Sequence, residues 1–140
     1  MGAGLTVLVV AVVVVAVASL WRRRTDGRVR VAPAGSDAVS AEELGGALGP
    51  RATLVQFSSS TCATCPPTAA LLSAMAHARP GVVHVDVDAE QRMDLVRRLR
   101  VLRTPTVLVL GPDGQVRGRT VGAPRRAELE DLLLALGAGG

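Results

Sequence analysis

The sequence of 140 residues contains no lysine and no tyrosine, and its only aromatic side chains are Trp21 and Phe57. Proteins that bind single-stranded nucleic acid stack bases on aromatic side chains, so this scarcity argues against a nucleic-acid partner, although the pI of about 10.8 is basic. Two cysteines are too few for a disulfide-dense secreted scaffold. A hydrophobic fraction of 49% argues against an intrinsically disordered chain.

The net charge of +4 comes from one short segment. Residues 22–31 hold five arginines and one aspartate, whereas residues 32–140 hold eleven arginines and eleven acidic residues. The larger part of the chain is therefore balanced in charge. Because the arginine cluster directly follows a long uncharged segment, we interpret it as a membrane-flanking signal and not as a nucleic-acid-binding surface.

Residues 1–21 are predicted to form a transmembrane anchor. The uncharged run from Ala3 to Trp21 would form a helix of roughly 28 Å, close to the ~30 Å hydrocarbon core of a bilayer. A cleaved signal peptide is the alternative, but no arginine precedes the apolar run and three arginines follow it. We therefore expect an uncleaved single-pass anchor that inserts in the membrane through residues 3–21.

The same arginines predict an orientation in the cell membrane. The positive-inside rule places the N-terminus outside and the soluble part in the cytoplasm. An extracytoplasmic soluble part is the alternative, because a small translocated domain can override the charge of a flanking segment. The expected organisation is an anchor at 1–21, a basic juxtamembrane linker at 22–37 and a folded domain at 38–140.

Apolar periodicity and turn signals predict an α/β domain. Helices are expected from Ser40, whose spacing to Glu43 is typical of a capping box, from the cysteine pair to about Ala78, and at 89–99 and 124–137. Strands are expected at 53–57, 82–87, 106–110 and 115–121, with an edge strand at 29–32. The order of these elements predicts a mixed sheet with helices on both faces.

Three details of these helices can be tested against the structure. Asp88 is expected to cap the helix at 89–99, whose buried side is predicted to carry Met93, Val96 and Leu99. Pro124 is expected in the first turn of the last helix, and Gly137 at its end. The last helix should bury one apolar stripe, formed by Leu129, Leu132, Leu133 and Leu136.

Cys62 and Cys65 form a C-x-x-C motif between a predicted strand and a predicted helix. This spacing places Cys62 at the helix N-terminus, where free N–H groups and the macrodipole favour a thiolate and lower its pKa. The lowering should be modest because the two prolines that follow Cys65 lack N–H groups. Cys65 lies about one helical turn further on, so the expected chemistry is thiol–disulfide exchange in which Cys62 attacks and Cys65 resolves the mixed disulfide.

Residues 38–137 resemble the thioredoxin family. The resemblance is carried by the stretches 54–57, 62–66, 85–88 and 103–106, and by Gly114 and Gly122. It implies a thioredoxin-like mixed sheet flanked by helices, here preceded by one transmembrane helix, and a redox-active Cys62–Cys65 disulfide without a further cofactor. It also implies that Pro105 follows a cis peptide bond and packs against the cysteine pair, while Thr104 offers backbone groups to the bound substrate.

Three positions depart from the family pattern. Thr61 stands where the family usually has tryptophan, Gln56 stands at the position of a buried acid, and His84 at that of its companion lysine. Glutamine cannot ionise, so Gln56 cannot accept the proton of Cys65. Two interpretations stay open: Gln56 and His84 form a neutral buried pair that packs and hydrogen-bonds, or His84 takes over proton handling.

The sequence therefore predicts a membrane-anchored thiol–disulfide oxidoreductase that reduces or exchanges protein disulfides. An unidentified electron donor would reduce its disulfide back to the dithiol. A non-catalytic interaction module and a metal-binding C-x-x-C protein are the alternatives. No metal is expected, because the spacing from Cys65 to His77 and His84 misses the zinc-finger windows and residues 79–81 would break a helix carrying both histidines. A purely structural disulfide is disfavoured because so short a loop removes little entropy from the unfolded chain.

Overall fold

A computed structural model of the chain describes residues 2–33, 35 and 37–138. The parts of the predicted anchor, linker and domain at residues 1, 34, 36, 139 and 140 lie outside the described residues. The described helices and strands, in chain order, are α1 Gly2–Thr25, β1 Arg30–Val31, α2 Ala41–Leu44, β2 Ala52–Ser58, α3 Cys65–His77, β3 Val82–Asp88, α4 Met93–Arg98, β4 Thr106–Leu110, β5 Val116–Val121 and α5 Arg126–Ala138.

The strands form one mixed sheet in the order β1-β5-β4-β2-β3. Strands β2 and β3 are parallel, β4 is antiparallel to both β2 and β5, and β1 is antiparallel to β5. The predicted edge strand is thus β1, which is two residues long, and the predicted hairpin is β4–β5. The mixed α/β sheet predicted from the order of the elements is confirmed.

The sheet separates two apolar cores. Alternate residues of β2 point to opposite faces, so Val55 and Phe57 pack on the side of α4, whereas Leu54 packs on the side of α3 and α5. Gln56 has the same parity as Leu54. It therefore lies on the face covered by α3, the helix that begins with the second cysteine.

Helix α4 is shorter than predicted. It begins at Met93 because the Asp88 carboxylate accepts the Glu90 N–H at 2.9 Å in a local turn and does not cap a helix. Met93 is 45% exposed, so its predicted burial is wrong. The fully buried positions of this segment are Leu95 and Leu99.

The three remaining short-range predictions have different outcomes. The Ser40 capping box is present, since Ser40 and Glu43 exchange side-chain to backbone hydrogen bonds. Helix α5 begins after Pro124 and continues through Gly137, so its predicted ends are wrong by one or two residues. The predicted stripe is confirmed, with Leu129 and its partners Leu132 and Leu133 buried and Leu136 packed beside them.

Helix α1 is the one helix, among the residues described, that is long and apolar enough to cross a membrane. Its 24 residues reach a mean hydropathy of 2.8 over an 18-residue window, and none of them is buried by the rest of the protein. The helix runs four residues past Trp21 and includes the three consecutive arginines. The arginine cluster therefore begins as the last turn of the apolar helix.

Candidate active site

The two cysteines lie at the carboxyl end of β2, where the chain turns into α3. They form a disulfide bond, with Cα atoms 5.4 Å apart. Cys62 is half-buried, whereas Cys65 is 4% exposed and lies beneath it. A substrate approaching from solvent therefore meets the sulfur of Cys62 before that of Cys65.

The start of α3 differs from the prediction, because the helix begins at Cys65 and Cys62 lies in the preceding turn. The Cys65 N–H donates to the Cys62 carbonyl at 3.4 Å, the next two residues are prolines, and the Thr68 N–H donates to the Thr64 carbonyl at 3.2 Å. The first turn therefore has no free N–H group to offer a thiolate. The Thr64 hydroxyl, 3.8 Å away, is the polar group in contact with the Cys62 sulfur.

Gln56 lies under the second cysteine. Its side chain is fully buried, and its Nε2 donates to the Cys65 carbonyl at 2.9 Å. Its Oε1 has no hydrogen-bond partner among the described residues. Gln56 therefore positions the first residue of α3 and leaves one buried acceptor free beneath the disulfide.

His84 lies further along the same face of the sheet. It pairs in register with Leu54 and lines a surface cavity together with Ser73 and His77, which are two to three turns along α3 from Cys65. Burial lowers the pKa of His84, and the nearby Asp86 carboxylate partly opposes that effect. The structure thus keeps the imidazole neutral near pH 7 and places it away from the disulfide.

Of the two interpretations of Gln56 and His84, a pair joined by a hydrogen bond is not found among the described residues. The amide nitrogen of Gln56 is directed at Cys65, and neither Gln56 Oε1 nor His84 Nε2 has a partner within the described part of the chain. The register partner of Gln56 on β3 is Asp86, whose carboxylate accepts the Ser58 hydroxyl at 2.5 Å. Sequence reasoning overlooked this carboxylate, although its place in the alternating pattern of β3 puts it on the Gln56 face.

The Thr104–Pro105 peptide bond is cis, as the family resemblance implies. Pro105 is buried, and its carbonyl accepts the Gly122 N–H at 2.8 Å. The Thr104 hydroxyl lies 3.1 Å from the Ser59 hydroxyl, which joins this loop to the turn that precedes Cys62. The turn that precedes Cys62 and the loop that carries the proline are thus joined by a direct hydrogen bond.

A surface groove of about 410 Å³ runs along the proline loop. Thr64, from between the cysteines, lines it together with Thr104 and Pro105, and the loop after β5 contributes Gly122 and Ala123 to the lining. Arg23 and Asp26 line it as well. Sequence reasoning assigned these two residues to a linker. The ion pair that joins Asp26 to the domain, with Arg103, spans 77 residues of sequence and leaves no local pattern.

Among the described residues, no group of three or more histidine, cysteine, aspartate or glutamate side chains is placed to hold a metal ion. His77 Nδ1 lies 2.8 Å from the Ser73 carbonyl of the preceding helical turn. His77 and His84 share a surface cavity at the far end of α3, while both cysteines are joined to each other in a disulfide. The cysteines and histidines considered for the alternative zinc site are therefore not assembled in one place.

Comparisons with known proteins agree with this geometry. The family model for thioredoxin matches residues 45–135. A solved chloroplastic thioredoxin z shares 26% identity with a TM-score of 0.60, covering 72% of this chain and 93% of its own. Mitochondrial thioredoxin 3 from Saccharomyces cerevisiae, in its oxidized form, shares 26% identity with a TM-score of 0.53, covering 61% and 78%. A thioredoxin from Nicotiana alata shares 28% with a TM-score of 0.55, covering 61% and 73%. No curated protein sequence matches.

Proposed function

This chain belongs to the thioredoxin family, and we propose that it is a membrane-anchored thiol–disulfide oxidoreductase that acts on protein disulfides. The observation that carries the proposal is the unequal exposure of the Cys62–Cys65 disulfide beside the groove along the cis-proline loop. A half-buried sulfur above a buried one is the arrangement that exchange requires. One sulfur must be accessible to the substrate, whereas the other needs to reach only the accessible sulfur.

In the reducing direction the reaction begins from the dithiol. The Cys62 thiolate attacks one sulfur of the substrate disulfide, forming a mixed disulfide and releasing the first substrate thiolate. Cys65 loses its proton and attacks the Cys62 sulfur, which forms the intramolecular disulfide and releases the second substrate thiolate. Two electrons and two protons pass to the substrate, and an unidentified dithiol donor returns them to the enzyme.

The residues around the cysteines have distinct roles in this proposal. Thr104 and Pro105 border the groove, and Thr104 presents its backbone groups to the substrate strand. Gln56 holds the Cys65 carbonyl and so fixes the distance between the resolving sulfur and Cys62. Because an amide cannot ionise, the proton of Cys65 leaves to water or to the departing substrate thiolate and not to Gln56.

Reduction of insulin by dithiothreitol tests the activity, with the full chain in detergent micelles as the catalyst. We expect Cys62→Ser to abolish catalysis. Cys65→Ser should instead accumulate a mixed disulfide with insulin, visible on a non-reducing gel, because the first attack is intact and the resolving sulfur is gone. Equal insulin turnover by the wild-type chain and Cys62→Ser would show that the pair has no exchange role.

Helix α1 is the proposed membrane anchor. Its apolar side chains are exposed along its whole length, and an apolar surface of this extent without a covering protein layer favours burial in lipid. The arginines of its last turn favour a cytoplasmic soluble part, where the ambient redox poise keeps the pair mostly as a dithiol and favours reduction. Retention of the full chain in membranes after alkaline carbonate extraction tests the anchor.

The orientation needs a separate test. A reporter that works only outside the cytoplasm, fused after Gly140, is expected to be inactive, and a cytoplasmic reporter at the same place active. The reverse result would place the dithiol outside. It would then favour exchange with an extracytoplasmic electron donor.

A further inference from the structure

The chain between the anchor and the sheet is bound to the domain along most of its length. Gly27 donates its N–H to the Val121 carbonyl at 2.9 Å and accepts the Arg125 N–H at 3.1 Å. Two residues later, the Val29 N–H donates to the Glu128 carboxylate at 2.7 Å, and β1 follows immediately. The anchor helix therefore passes into the domain without a free linker between them.

Side chains fix the end of the helix as well. The Arg125 guanidinium donates to the Arg24 carbonyl at 3.1 Å, which occupies one of the carbonyl groups left free at the C-terminus of α1. The Asp26 carboxylate forms an ion pair with Arg103, two residues before Pro105. The contact at Gly27 is so close that a Cβ atom there would lie 2.2 Å from the Ala123 carbonyl oxygen.

These contacts bring the end of the anchor to the substrate groove. Arg23 and Asp26 line the same space as Thr64 and Pro105. Asp26 is neutralised by Arg103, whereas Arg23 has no ion-pair partner among the described residues. One wall of the groove is therefore the last turn of the anchor helix, and that wall presents an unpaired positive charge.

We propose that this enzyme selects disulfides presented at the membrane surface, because Arg23 and Asp26, at the end of the anchor helix, form one wall of its substrate groove. The proposal rests on the proposed function, including the membrane anchor. With Trp21 at the interface, Arg23 lies two residues, or about 3 Å along the helix axis, beyond it. The groove thus opens within about one helical turn of the headgroups. A disulfide carried by a membrane-attached polypeptide reaches it, whereas one held far above the bilayer does not.

The test uses the full chain in phosphatidylcholine vesicles, with dithiothreitol as the reductant and fluorogenic disulfide peptides as probes. Two probes carry the same acyl chain, one with the disulfide directly beside it and one with ten prolines between, a semi-rigid spacer of about 31 Å. Both are confined to the same surface, so the ratio of their rates reports the height of the active site and not local concentration. A third probe, the same disulfide peptide without an acyl chain, measures the exchange activity independently of the membrane surface.

We expect the wild-type chain to reduce the near disulfide at least tenfold faster than the far one. Inserting eight glycine and serine residues between Thr25 and Asp26 keeps the anchor and the dithiol but gives the domain a tether of roughly 16 Å. The ratio should then fall below about threefold. Arg23→Gln should slow reduction of the near disulfide severalfold, and the matched variant Arg22→Gln, outside the groove, should not.

The outcomes separate the two proposals. Reduction of the free peptide with a near-to-far ratio of one, or with a ratio that the spacer leaves unchanged, overturns the membrane-surface inference and leaves the exchange activity standing. If Arg23→Gln and Arg22→Gln slow reduction of the near disulfide equally, the membrane-surface inference is also overturned. The rate would then depend on the net charge of the segment and not on a residue that lines the groove. Absence of reduction with every peptide overturns the exchange activity and the inference together.

Discussion

Gln56→Glu tests whether the position beneath the resolving cysteine is as enclosed as the structure indicates. Glutamate has nearly the same shape as glutamine, so the variant changes chemistry more than packing. A protonated carboxyl can donate its O–H to the Cys65 carbonyl, as Nε2 of Gln56 does at 2.9 Å. An ionised carboxylate cannot donate, and it would place a charge beside a carbonyl oxygen at a site with no solvent exposure.

Both effects favour the neutral acid and raise the carboxyl pKa in the folded state. Full burial alone can raise a carboxyl pKa by about 3 to 5, and each pKa unit corresponds to about 1.4 kcal/mol. A raised pKa gives stability that is present at low pH and lost as the pH rises through the folded-state value. The stability falls by about 1.4 kcal/mol per pH unit between the unfolded-state and the folded-state pKa. Between pH 5 and pH 9 the variant should therefore lose about 3 to 5 kcal/mol relative to the wild-type chain, a large part of the stability of a small domain.

The measurement is urea unfolding of the full chain in detergent micelles at several pH values, with the wild-type free energy subtracted at each. Gln56→Leu is the control, because it cannot titrate. It removes one hydrogen bond together with an unpartnered buried oxygen, so its difference from wild type should be within about 2 kcal/mol and constant with pH. A Gln56→Glu difference as flat as that of Gln56→Leu would refute the enclosed position of this side chain.

Three further outcomes follow from individual residues. Gly27→Ala should destabilise the chain by about 2 kcal/mol or more in urea unfolding, because of its positive φ and the close backbone oxygen, and by clearly more than Gly45→Ala, which has a similar φ but open space. His84→Gln should leave the pH profile of insulin reduction unchanged. The wild-type chain should lose stability as the pH falls below 6.5, because the His84 pKa is lower in the folded than in the unfolded state and protonation then favours unfolding. His84→Gln should reduce that loss. Thr64→Val should slow alkylation of reduced Cys62 by iodoacetamide two- to threefold at pH 7, because it removes the hydroxyl beside the sulfur.

Short-range patterns in the sequence were sufficient to predict most of the elements. Valine-rich runs with turn residues between them located the strands, and the capping box located the start of α2. The prediction at Asp88 failed because an aspartate can accept a hydrogen bond from the backbone two residues on as readily as it can cap a helix, and sequence spacing does not distinguish the two. The choice depends on where the following segment packs.

The contacts that shape the groove lie beyond short-range patterns. Asp26 and Arg103 form their ion pair across 77 residues of sequence, and two charged residues in loops carry no periodicity that would join them. The hydrogen bond from Gln56 to Cys65 depends on which face of the sheet α3 covers. The family resemblance identified Gln56 as a notable position. It did not indicate that its partner is a backbone carbonyl and not His84.

Neither the start of α3 nor Gln56, which lies beneath Cys65, promotes ionisation of the reduced cysteine pair. The first turn has no free N–H group for a thiolate, and Gln56 supplies no charge that could take the proton of Cys65. Strong stabilisation of the reduced thiolate is what makes a cysteine pair a strong oxidant. The N–H groups of α3 do not provide it here, so the weaker contact of the Thr64 hydroxyl with Cys62 leaves a pair that favours giving electrons away. With α1 as the proposed anchor, the arginines of its last turn independently favour a cytoplasmic domain, where electrons are available to the pair. Local chemistry at the disulfide and charge at the membrane therefore favour the same direction of exchange, reduction of disulfides that reach the membrane surface.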